Sequence, residues 1–221
     1  MRAFIKIILC VLALVLGFAG AGADAAPRAK PAAKPVKLLV LGDSLIQGYG
    51  LAPGQDFPAQ LERALKVRGM NVKVINGGVS GDTSAGGVAR IAWSLTDNPD
   101  AAIVEFGGND ALRGLAPTDT ERNIGAILAA LKARHIPVLL AGIKSPRNMG
   151  ADYTKEFDAV FPALAKKYEV LFYPFFLDGV AVNPALNQRD GIHPDEKGVA
   201  VIVQRMMPMV MRLVAQARAK R

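Results

Sequence analysis

The chain predicts a three-layer α/β/α sandwich on a parallel five-stranded sheet, and three observations lead there. Short runs rich in β-branched residues alternate with longer stretches of helical spacing, strand and helix taking turns five times. The runs are apolar at nearly every residue, as strands covered on both faces are. With 221 residues, 51% hydrophobic and 21% charged, the chain can fill one domain with a sizeable core.

Residues 1–25 stand apart from that domain. Arg2 and Lys6 precede an unbroken apolar run from Ile7 to Ala21, and small residues with an Ala23-x-Ala25 pattern follow. This reads as a secretory signal peptide cleaved near Ala25, which places the protein in the periplasm or outside the cell. A retained anchor is the competing reading, because the apolar run approaches the roughly 17 residues at which a helix begins to span a bilayer. Cys10, the one cysteine, lies inside this leader, so the mature chain has no disulfide, thiolate nucleophile or cysteine metal ligand. Residues 26–36 form a Pro/Ala/Lys-rich linker.

The strands are expected at 36–42, 71–77, 101–108, 136–143 and 168–175. Helices are expected at roughly 56–69, 84–97, 118–134, 152–167 and 194–216. Right-handed crossovers then favour the flavodoxin-like strand order 2-1-3-4-5 within a domain covering residues 37–221. Met-rich MMPMVM at 206–211 falls in the last helix and is read as core filling.

The formal charge is +8, and removing Arg2, Lys6 and Asp24 with the leader leaves +7. Much of it lies in the linker and in the tail RLVAQARAKR, which read as solvated ends. No basic patch interleaved with aromatics points to nucleic acid. A monomer without stable membrane insertion after leader cleavage is expected.

In such sheets ligands collect at the carboxyl ends of the strands. Strand one ends in GDSLIQG, strand two in NGGVSGDTSAGG and strand three in GGNDALRG, while RDGIHPDEKG follows strand five. Glycine-rich turns before helices also suit a flavin or nucleotide phosphate. No G-x-G-x-x-G and no P-loop lysine follows strand one, however.

Two histidines occur. His135, at a helix end, simply suits the dipole there. His193 precedes Pro194 and stands three residues after Asp190 on a loop freed by Gly191. An aspartate at that spacing can fix the imidazole tautomer, leaving the other ring nitrogen to take a proton from a hydroxyl. The bland alternative is a solvated loop whose Asp190 and Asp195 serve as turn and cap residues. Ser44 likewise reads either as a helix cap or as a nucleophile. Taken together, the loops supply a nucleophile at Ser44 and three oxyanion donors: the Ser44 and Gly81 amides and the Asn109 side chain. Ile46 stands where the G-x-S-x-G elbow requires glycine, so a different turn presents the serine.

GDSL at 42–45, the glycine in SGDTS at 80–84, GGND at 107–110 and DGIH at 190–193 resemble the four blocks of the SGNH, or GDSL, hydrolases. The resemblance spans nearly all of residues 37–210. It is narrower still to the bacterial thioesterase I, lysophospholipase and arylesterase subgroup, through VSGDTSAGGVAR, VEFGGNDALRG and DGIHP. It implies Ser44 as nucleophile, His193 as general base and Asp190 as its partner. Ser44, Gly81 and Asn109 are implied as oxyanion donors, with no metal or cofactor. Asp43, Asp82 and Asp110 are expected to fix loop geometry. Leu112, Leu115 and Ile143 are expected to bound an open acyl pocket or else belong to the core. The expected activity is hydrolysis of small acyl esters, thioesters or lysophospholipids. Deacetylation of envelope polysaccharide and a non-enzymatic binding module remain as alternatives.

Overall fold

The protein is described by a computed structural model over residues 34–220; the expected leader, the expected linker up to residue 33 and Arg221 lie outside the described residues. Five parallel strands form one sheet in the order 2-1-3-4-5, as expected. They are β1 (Val36–Gly42), β2 (Val72–Gly78), β3 (Ala101–Glu105), β4 (Val138–Ala141) and β5 (Leu171–Tyr173). Val36, at the end of the expected linker, is buried and pairs with Val72.

The strands of the right half are shorter than the apolar runs that encode them. β3 stops where Gly107 takes a φ of +119° and turns the chain into a helix. β4 begins only after Pro137, which has no N–H for the ladder. β5 pairs with β4 alone and ends before Pro174.

Among the described residues, seven α-helices surround the sheet. The five long ones are α2 (Phe57–Val67), α3 (Ser84–Ser94), α5 (Pro117–Ala133), α6 (Ala151–Tyr168) and α7 (Glu196–Ala219). Two short ones escaped the sequence reading: α1 (Ser44–Gln47) and α4 (Gly108–Leu112). Their few residues carry no measurable periodicity, yet both sit at strand ends where the chemistry is expected. Helix α2 packs with α7 on one face, and α3, α5 and α6 pack in succession on the other.

Local sequence accounts for the entries to these helices. Asp56 caps α2 by accepting the Ala59 amide at 3.0 Å, and Asp195 caps α7 by accepting the Gly198 amide at 2.8 Å. Helix α7 starts two residues later than Pro194 suggested because Pro194 forms an isolated bridge with Asn187. Met206, Met207 and Val210 are buried in the core, while Met211 is exposed. Among the described residues, α7 alone is long and apolar enough to cross a membrane, and half of that stretch is buried inside the protein.

Burial is continuous across the layers. Leu38 to Leu41, Ala101 to Val104 and Leu139 to Ala141 are almost inaccessible and meet Phe57, Leu61, Ile127, Phe157, Phe161 and Ile202. Each such Val, Leu, Ile or Phe side chain contributes roughly 1.5–3 kcal/mol relative to exposure. The close approach of β2 to α1 depends on Gly78, where a methyl group would overlap the Gln47 backbone. Gly78→Ala therefore displaces the turn after β1. It is expected to lower unfolding free energy by about 1–3 kcal/mol in urea titration.

Candidate active site

The parallel arrangement puts the carboxyl ends of all strands at one edge, and the first helical residue there is Ser44. Its cap is the preceding residue: Asp43 accepts the Leu45 amide at 3.0 Å, so Ser44 itself occupies the first turn of α1. Gly48 closes the helix with a φ of +87°, its amide donating to the Ser44 carbonyl at 3.1 Å. One turn of helix holds the hydroxyl at the rim without a G-x-S-x-G elbow.

The partner arrives from the other end of the chain. His193 Nε2 lies 2.9 Å from Ser44 Oγ, and His193 Nδ1 lies 2.7 Å from Asp190 Oδ2. With the Nδ1 proton donated to that carboxylate, Nε2 is left to accept from the serine hydroxyl. Asp190 is held in place by its own loop, because Oδ1 accepts the amides of Ile192 at 2.9 Å and His193 at 3.0 Å. Gly191 makes that turn possible with a φ of +71°. Partial burial works to raise the Asp190 pKa. The two amides and the imidazole outweigh it and bring the carboxyl down to about 2. On the other side the ring of Tyr49 packs on the imidazole with centroids 4.7 Å apart, a contact that no sequence spacing announced.

Gly81 and Asn109 flank this pair. Loop 79–82 is pinned to β1 where the Val79 amide meets the Gly42 carbonyl at 3.1 Å. Gly81 has a φ of +82°, and its carbonyl accepts from Arg113 Nη2 at 2.8 Å. Asn109 lies in α4, where Nδ2 donates to Asp43 Oδ2 at 3.1 Å and to the Asp82 carbonyl at 2.9 Å. Both hydrogens of that amide thus face protein oxygens, and an oxyanion would share one of them.

The neighbouring aspartates bind loops together. Asp82 accepts from Arg90 Nε at 2.7 Å, while Arg90 Nη2 donates to the Gly42 carbonyl at 2.8 Å. Buried Asp110 accepts the Ser84 amide at 2.8 Å, its hydroxyl as well, and the Thr120 hydroxyl at 3.2 Å. Asp43 is 2% exposed, and burial, opposed by its hydrogen bonds to Leu45 and Asn109, raises its pKa to about 6. Beneath it the Glu105 carboxyl is fully buried without a hydrogen bond of ordinary geometry, and burial followed by the Asp43 charge, only partly offset by the Asp43 amide, holds it well above the usual range. Glu105 sits inside an apolar strand run and carried no signal of its own in the sequence.

The residues expected to bound an acyl pocket divide. Leu112, the last residue of α4, and Leu115, just beyond it, are exposed, whereas Ile143 is 5% exposed within the core and offers little surface to a ligand. His135 takes a φ of +56° after α5 and precedes β4, at the amino ends of the strands. No cluster of metal-ligating side chains exists among the described residues.

Residues 40–201 match the GDSL-like lipase/acylhydrolase family. The chain is 39% identical over 178 residues to thioesterase 1/protease 1/lysophospholipase L1 of Escherichia coli strain K12, covering 80% of this chain and 84% of that protein. It is 35% identical over 211 residues to an arylesterase of Vibrio mimicus, covering 95% and 98% respectively. The solved structure of AlinE4, an SGNH-hydrolase family esterase, is 46% identical with a TM-score of 0.70, covering 81% of this chain and 97% of that one. The fold, the four sequence blocks and these matches together make the chain a member of the GDSL, or SGNH, family of hydrolytic enzymes.

Proposed function

We propose that the protein is an exported hydrolase that cleaves small acyl esters and thioesters through Ser44, His193 and Asp190. The observation that carries this is the relay from Asp190 Oδ2 through the imidazole to Ser44 Oγ, with both links below 3 Å. His193 Nε2 takes the hydroxyl proton as Ser44 Oγ bonds to the substrate carbonyl carbon. The carbonyl electron pair moves onto oxygen, facing the amides of Ser44 and Gly81 and the Asn109 carboxamide. When the tetrahedral species collapses, the bond to the leaving alcohol or thiol breaks and the imidazolium returns its proton to that group. Water then attacks the acyl-serine by the same route, His193 accepting its proton and restoring it to Ser44 as the acid departs. Asp190, held at about 2, stays anionic throughout and stabilises the imidazolium.

The open rim supports a tolerant acyl preference. Tyr49 and Ile192 beside the relay, and Leu112 and Leu115 at and just beyond the end of α4, are exposed and offer apolar surface to an acyl chain. Thioesterase, lysophospholipase and arylesterase activities are those named for the similar proteins, and one mechanism serves all three. The leader-like residues 1–25 support export.

A panel of p-nitrophenyl acetate and octanoate, an acyl thioester and a lysophospholipid, assayed on the wild type beside Ser44→Ala, tests the reading. Turnover of acyl esters or thioesters that disappears in Ser44→Ala is expected. Survival of near wild-type turnover in that variant refutes it, and turnover confined to acetylated sugars moves the substrate to polysaccharide. Asn109→Ala is expected to lower kcat about 10²- to 10³-fold, equivalent to roughly 3–4 kcal/mol in the barrier, with a smaller effect on KM.

A further inference from the structure

Glu105 is the anomaly of this rim. It ends β3 at 0% exposure, and neither carboxyl oxygen makes a hydrogen bond of ordinary geometry, only the Asp43 amide lying close enough to favour its charged form. Its carboxyl shares with Ile46 the space left by the missing side chain at position 42: a Cβ on Gly42 would overlap Ile46 Cγ1 and stand 2.7 Å from both the carbonyl oxygen and Oε2 of Glu105. Asp43, the next residue and also buried, spends Oδ1 on the Leu45 amide and Oδ2 on the Asn109 carboxamide.

Two carboxylates cannot both be charged in so dry a pocket without a cation between them. The charged or titratable groups around the turn are Arg90 and Asp82 from α3 and its approach, Asp110 from α4, and His193 from the loop before α7. Arg90 is committed to Asp82 and the Gly42 carbonyl, and the β4 neighbour of Glu105 in register is Ala141, which brings no charge. One negative charge therefore resides in the pair, on the member with two well-formed hydrogen bonds, which is Asp43.

We propose that Glu105 is a positioning residue: as a neutral acid beneath the Gly42–Asp43 turn it keeps the buried negative charge on Asp43, which in turn holds the Asn109 carboxamide at the oxyanion site. The proposal rests on the oxyanion reading given above. Were Glu105 ionised as well, two carboxylates would share the pocket, and their repulsion would drive the Asp43 carboxylate off the donors that hold it and release the Asn109 side chain. Gly42 is part of the same arrangement, since any side chain there would displace the acid.

The test compares Glu105→Gln, a neutral isostere, and Glu105→Leu with the wild type on p-nitrophenyl butyrate from about pH 7 to about pH 10. At pH 7 both variants are expected within about threefold of the wild-type kcat. Toward pH 10 the wild type is expected to lose about tenfold or more in kcat at constant KM, while both variants hold their plateau and Asn109→Ala stays low and flat. Superimposable alkaline profiles for wild type and Glu105→Gln overturn the proposal, as does a Glu105→Gln that is tenfold slower at pH 7. Should Glu105→Leu fail to fold, Glu105→Gln decides alone.

Thermal unfolding supplies an independent reading. The folded state keeps on Glu105 a proton that the unfolded chain releases near pH ~4.3, so stability falls as pH rises from there toward the raised folded value. Glu105→Gln is expected to flatten that fall, and an unchanged slope counts against a protonated Glu105. Loss of activity in Ser44→Ala together with identical alkaline profiles refutes the positioning role alone. Retained activity in Ser44→Ala refutes the catalytic reading beneath it.

Discussion

A single hydrogen bond between residues 149 positions apart, from the Ser44 hydroxyl to His193 Nε2, is the constraint on which the arrangement of the site depends. Neither residue can reach the other through local structure. Ser44 is delivered by the end of β1 and one turn of helix, and His193 by a loop that leaves the sheet after β5 and enters α7. The strand order lets them meet. Because all five strands run the same way, every loop that follows a strand emerges at the same edge, and β1 lies inside the sheet between β2 and β3. The loops carrying Gly81 and Asn109 come from those two neighbours and consequently flank the serine.

The carboxyl groups around this edge divide by hydration and hydrogen bonding, and the division follows their work. Asp190 is partly exposed, accepts two amides and an imidazole, and stays charged to about pH 2. Asp43 is enclosed, accepts two hydrogen bonds, and titrates near 6. Glu105 is enclosed with only the Asp43 amide near it, and burial holds its carboxyl well above the usual range. A graded supply of donors thus sorts three acids of similar intrinsic strength into an anion that serves the imidazole, an anion that holds a loop, and a neutral filler. Gly42 and Gly78 matter in the same way, since the first leaves room for the Glu105 carboxyl and the second lets α1 settle on β2.

The layers and the strand order were legible in the sequence because near-continuous apolar runs and amphipathic stretches are long-range signals. Strand ends were less so: Gly107, Pro137 and Pro174 cut β3, β4 and β5 shorter than their apolar content suggests. Helices α1 and α4 are too short for periodicity to register, although the residues they carry, Ser44 and Asn109, were singled out by chemistry and by resemblance. Tyr49 and Glu105 escaped because their roles arise only from contacts across the fold. One is an exposed aromatic laid on an imidazole, and the other a lone acid within an apolar strand. Ile143 illustrates the converse, a residue near a strand end whose side chain turns into the core.

The most direct test of the relay is to map the adduct formed with a fluorophosphonate by peptide mass spectrometry in the wild type and in His193→Ala. The account predicts one phosphonylated residue, Ser44, formed rapidly in the wild type and far more slowly without the imidazole. An adduct on any other residue, or equal labelling rates in the two proteins, would contradict it.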